Sequence, residues 1–186
     1  MFIHSALTIT LFLFCLAVVY GAVCDVQTFT IPNRVSYGLV GLFVIFAILV
    51  WLNPHEIYFP QLHEGGFHIP PILMNVFYGL AVFIFFFVFW QLGWVGGGDV
   101  KFVSAISLFM GLDHVLLFVI LMSAISLVMV FVLKSLPNIY LQIIKRSPPA
   151  IILNLISKVE QRKIPYGLPA AIAALILIPS VVASIY

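Results

Sequence analysis

Residues 93–114 read Gly93-Trp94-Val95-Gly96-Gly97-Gly98-Asp99-Val100-Lys101-Phe102-Val103-Ser104-Ala105-Ile106-Ser107-Leu108-Phe109-Met110-Gly111-Leu112-Asp113-His114. The apolar part, 100–112, makes about 20 Å of helix at 1.5 Å per residue, short of the ~30 Å hydrocarbon core of a bilayer. It spans a membrane only if the glycine-rich segment ahead of it also lies at membrane depth. Three successive glycines interrupt a helix there, and an aspartate sits at the interruption. Backbone that is not helical is tolerated at such depth where it lines a protein-walled or water-filled cavity.

Five further apolar runs flank this segment, at 3–23, 35–52, 72–92, 115–133 and 167–185. Each is long enough for a helix that crosses hydrocarbon. Composition agrees: of 186 residues, 64% are hydrophobic and 8% charged, against roughly 25% charged in soluble domains. Mean hydropathy is +1.25. The reading is an all-α polytopic membrane protein, a single domain over 1–186. It has six transmembrane helices, the fourth short or broken at the glycine-rich element. The first run has no Lys or Arg ahead of it and is longer than a signal-peptide core, so it is expected to stay as a helix.

The cations decide the sidedness. All eight basic residues fall in or beside the first, third and fifth loops: Arg34, Lys101, Lys134, Lys145, Arg146, Lys158, Arg162 and Lys163. Loops 53–71 and 113–114 hold none. The positive-inside rule then puts the odd loops in the cytoplasm and both termini outside. Without the short fourth span, the six cations from Lys134 onward would face Arg34 and Lys101 across the membrane. The longest connection, 134–166, is a cytoplasmic loop. Within it, 150–163 reads either as an amphipathic interfacial helix or as a solvated loop.

The charge balance excludes nucleic acid as a partner: the net charge is +2, with no basic block interleaved with aromatics. Cys15 and Cys24 form no CxxC pair and read as packed thiols. His63-Glu64-Gly65-Gly66-Phe67-His68 misses the HExxH spacing by one residue, so no metal site is expected, and no cofactor. The histidines (His4, His55, His63, His68, His114) all fall on the outer side, away from Cys24, Asp25 and Asp99. Lys101 and Ser104 share a helix face, but buried serines in membrane helices usually bond their own backbone.

Asp113 is a turn or capping residue. Asp25 and Asp99 differ from it, because each lies at the cytoplasmic end of a span, and an ionisable group at membrane depth is a functional hypothesis in itself. Asp25 is followed by Pro32-Asn33, a helix-start signal; Asp99 closes the glycine triplet. Two carboxylates in one poorly solvated cavity share a proton. The ionised member takes a proton from water while its partner polarises a scissile carbonyl. The rival readings are a small channel or transporter subunit binding a proton or cation at Asp25 and Asp99, and an assembly partner without an active site.

At these residues the chain resembles the type IV prepilin peptidases and their archaeal preflagellin-peptidase relatives. The resemblance rests on Asp25 with Pro32 and Asn33, on the GxGD element Gly96, Gly98, Asp99 with Lys101 beyond it, and on Pro165-Tyr166-Gly167 before the last span. It covers nearly the whole chain. It implies an intramembrane aspartic endopeptidase, with Asp25 and Asp99 as catalytic pair, that removes the basic leader of prepilin or pseudopilin precursors. The cut would lie at the cytoplasmic face of the inner membrane, with lipid and the pilus assembly machinery as partners. Larger members carry a cysteine-rich cytoplasmic segment linked to methylation. The first span here begins at Ile3, so the chain is similar to the short peptidase-only members of tight-adherence (Flp) pilus systems.

Overall fold

A peptide in hydrocarbon has no water to satisfy its N–H and C=O groups, so apolar runs of this length become helices. The structure, a computed structural model, describes residues 2–52, 71–139, 149, 153 and 166–185. Its long elements are α1 (Phe2–Thr28), α2 (Asn33–Leu52), α3 (Pro71–Gln91), α4 (Gly97–Ile139) and α5 (Gly167–Ile185). Among the described residues, four segments are long and apolar enough to cross a membrane: His4–Thr28, Asn33–Leu52, Ile72–Gln91 and Asp113–Ser135. A shorter apolar helix runs over Gly167–Ala183. The protein is an all-α polytopic membrane protein. The loop helix considered at 150–163 (all but Leu153), Pro165, and His55, His63 and His68 lie outside the described residues.

The glycine-rich element begins α4, as the sequence suggests, but the second break is displaced. A turn is expected at Asp113-His114. The backbone instead leaves helical geometry at Gly111, with φ 63° and ψ −179°, and two helices join across that kink. This conformation is open essentially to glycine alone, because a Cβ would crowd its own backbone. The arm 97–110 is about 21 Å long, close to the length anticipated for the short fourth run.

Helix ends also differ from the apolar runs. α1 continues past Val23, so Asp25 sits in its last turn rather than beyond it. Phe29 then takes φ 54° and stops the helix. Its N–H still bonds the Asp25 carbonyl at 2.8 Å, and a left-handed residue is the usual terminator. Glycine normally fills that role; a phenylalanine there is held by its surroundings.

α4 is central and packs against α2, α3 and α5, while α1 packs against α2 and α5. An aromatic cluster joins the first, second and fourth helices. The Phe109 ring lies 4.4 Å from Phe14, 5.5 Å from Phe43 and 5.7 Å from Phe46, between ring centroids. Leu7, Phe14, Leu39, Phe102, Ile106 and Phe118 are fully buried. The outward faces, with Phe12, Trp51, Leu116 and Phe131 exposed, are apolar as a lipid-facing surface must be. This packing gathers the end of α1 and the starts of α2, α4 and α5 in one place.

Candidate active site

Each of the two acids flagged in the sequence is held by the start of a helix. Asp99 lies in the first turn of α4. Its Oδ2 accepts a hydrogen bond from the Gly96 N–H at 3.2 Å. The Gly96 carbonyl in turn accepts from the Val100 N–H at 3.2 Å. Gly96 is therefore the cap and Asp99 the acid that reaches back to it, half of a capping box. Gly96 owes its place to this closeness: a Cβ there would lie 2.7 Å from Asp99 Oδ2.

Asp25 uses the terminus of another helix. Its Oδ2 accepts from the Gly167 N–H, the first residue of α5, at 2.6 Å. The preceding Tyr166 carbonyl accepts from Ala170 at 3.1 Å, which makes Tyr166 the cap of α5. Unsatisfied N–H groups and the helix dipole make such a terminus an anion site. Asp25 is only 2% exposed, so that N–H replaces water the carboxylate has lost. The seat is tight. A Cβ on Gly167 would lie 2.8 Å from Asp25 Oδ2 and 2.9 Å from both Asp25 Cβ and Ile31 Cδ1.

The two carboxylates lie close enough to interact electrostatically, and Asp99 also acts on the half-buried phenol of Tyr166. One residue bridges the two anchors. Ile31, 6% exposed, places its carbonyl oxygen 3.1 Å from where a Gly98 Cβ would be, and its Cδ1 at the Gly167 seat. Nearby, Lys101 Nζ donates to Asn33 Oδ1 at 3.1 Å, which ties the start of α2 to α4. Exposed Pro32 precedes α2, its carbonyl accepting from Val35 at 2.9 Å.

The family model described as the type IV leader peptidase family matches residues 11–132. That is well over half of the chain and includes both acids. The chain belongs to the type IV leader peptidase family. No curated protein and no solved structure matches it. As a member of a peptidase family, its chemistry is hydrolysis of a peptide bond. The match ends before α5, so the link between Asp25 and Gly167 is a finding of the structure alone.

Other site residues named from the sequence are distributed as follows. Gly96 and Gly167 lie against the two acids and Gly98 against Ile31, while Asn33 and Lys101 bond each other; Pro165 is outside the described residues. The Lys101–Ser104 pairing does not form, since Ser104 Oγ donates to the Val100 carbonyl at 2.7 Å and Lys101 is held by Asn33. Asp113 is exposed at the kink, beside His114. Cys24, next to Asp25 in sequence, is a free thiol. Among the described residues, no three His, Cys, Asp or Glu side chains are gathered as metal ligands. Sequence reasoning missed Ile31. Its signal was an apolar residue between Thr30 and Pro32, where a solvated turn would carry a polar one.

Proposed function

We propose that this leader peptidase is an intramembrane aspartic endopeptidase that cuts the basic leader from type IV pilin-like precursors, with Asp25 and Asp99 as the catalytic pair. The observation that carries the proposal is that two acids from separate helices interact electrostatically, Asp99 bonded by the Gly96 N–H and Asp25 by the first N–H groups of α5. A water and a substrate carbonyl would bind between the two carboxylates.

The chemistry follows from general acid–base requirements. The ionised carboxylate removes a proton from the attacking water as its oxygen bonds to the scissile carbonyl carbon. The protonated partner donates to the carbonyl oxygen. The tetrahedral species then collapses, and the departing amine takes a proton from the pair. Fixed N–H dipoles hold the carboxylates without reorganising during reaction, which is where preorganised sites gain most.

The site would lie at the cytoplasmic face of the cytoplasmic membrane, because Arg34 and Lys101 flank it in sequence and the other six cations fall at the end of α4 (Lys134) or between α4 and α5. A Cys placed at Lys158 should resist a membrane-impermeant thiol reagent in intact cells; labelling from outside would reverse the assignment. The functional test is co-expression with a leader-bearing pilin precursor encoded nearby. The expected result is a mature pilin shortened at the leader boundary. A precursor that stays full length beside the folded protein would overturn the substrate assignment.

A further inference from the structure

We infer that Ile31 is a positioning residue, a wedge between the starts of α4 and α5 that sets the separation of Asp25 and Asp99. The inference rests on the dyad reading above and assigns a part to a residue outside it. Three observations converge on this residue. It is buried although it belongs to a short interhelical loop. Its backbone lies against Gly98, with the carbonyl oxygen 3.1 Å and the nitrogen 3.5 Å from a Cβ built there. Its Cδ1 lies 2.9 Å from a Cβ built on Gly167.

Those two glycines are the immediate supports of the acids. Gly98 precedes Asp99, and Gly167 gives its N–H to Asp25. A residue packed on both therefore spaces the two helix starts, and with them the carboxylates. The loop geometry fits this part. Phe29 holds φ 54° two residues earlier, a conformation a bulky side chain adopts only where the surroundings over-determine it. That turn directs the chain back from the end of α1 so that Ile31 lies between Gly98 and Gly167. Pro32 then fixes the exit into α2.

Single-atom truncation tests the wedge. Ile31→Val removes Cδ1, the atom at the Gly167 seat, and keeps the Cβ that faces Gly98. Ile31→Ala removes more, and Ile31→Leu returns a δ carbon. Each purified variant would be assayed on a leader-bearing precursor for kcat, KM and the pH profile of kcat, with helical circular dichroism and thermal unfolding alongside. The expected result is a fall in kcat of about ten- to a hundredfold for Ile31→Ala, as a displacement near 1 Å would give. Ile31→Val should be intermediate, KM nearly unchanged, and Ile31→Leu largely restored.

The decisive readout is the gap between the acid and alkaline limbs of the profile. In a coupled pair that gap reports how strongly the two groups interact, hence their separation. It should change in Ile31→Val and Ile31→Ala and return in Ile31→Leu. An unchanged gap, with activity falling only as the folded fraction falls, would reduce Ile31 to ordinary packing and overturn the inference. Should Asp25→Asn or Asp99→Asn still process the precursor, the dyad reading itself fails. Loss of processing in both, with unaltered Ile31 profiles, sinks the wedge alone.

Discussion

Gly167→Ala probes the seat of Asp25 with the smallest possible change. The added methyl would sit 2.8 Å from Asp25 Oδ2 and 2.9 Å from Asp25 Cβ and Ile31 Cδ1. Asp25 Oδ2 and Ile31 Cδ1 are side-chain ends that can turn aside, but Asp25 Cβ is fixed to the backbone of α1, so α1 or the start of α5 must shift. Either movement breaks the 2.6 Å bond from the Gly167 N–H. A hydrogen bond to a charged group contributes about 1.5–3 kcal/mol. At about 1.4 kcal/mol per factor of ten, its loss in the reacting state lowers kcat by about ten- to a hundredfold. The assay is cleavage of a leader-bearing precursor by purified protein in detergent, with kcat and KM separated, and with protein yield and helical circular dichroism matched to the parent. The fall should appear in kcat, because the bond that is lost is buried and holds the reacting carboxylate. A folded Gly167→Ala protein with kcat within about twofold of the parent, under 0.5 kcal/mol, would refute the reasoning.

Two further predictions concern stability. Gly111→Ala places a side chain at φ 63°, ψ −179° and should destabilise the protein by about 1–3 kcal/mol. Unfolding in detergent checks this, and an unshifted midpoint would show that the kink relaxes freely. Burial, and secondarily the charge of Asp99, push the Tyr166 phenol above its ordinary value of 10.0. Its protonated form is thus favoured in the folded state, and the associated stability is present below about pH 10 and lost as pH rises through the folded value. Unfolding free energy should drop on that side, and less steeply in Tyr166→Phe. Identical slopes for the two proteins would count against it.

Much of this arrangement could be read from the chain because the membrane constrains it so strongly. An apolar run too short to span, preceded by three glycines and an acid, has few solutions in hydrocarbon, and the observed start of α4 at Gly97 is one of them. Asp25 and Asp99 stood out because a carboxylate at depth is costly. Gly111 did not, because an isolated glycine in an apolar helix is tolerated, and the polar pair Asp113-His114 two residues on gives a stronger turn signal. The Gly167–Asp25 bond joins residues 142 positions apart, and no periodicity encodes a contact of that range. Gly167 was named only through the family resemblance. Asn33 and Lys101 were likewise named separately, while their hydrogen bond exists only once α2 and α4 pack. Ile31 escaped notice because its part depends on two glycines, one from each of two other helices.

The most direct measurement of the central claim is precursor processing by Asp25→Asn and Asp99→Asn proteins, each isosteric and each retaining an oxygen that can accept the Gly167 or Gly96 N–H. Both variants should accumulate to parental levels, unfold at parental temperatures or above, and leave the precursor uncut. Cleavage at the leader boundary by either variant would show that peptide hydrolysis here does not depend on a pair of acids.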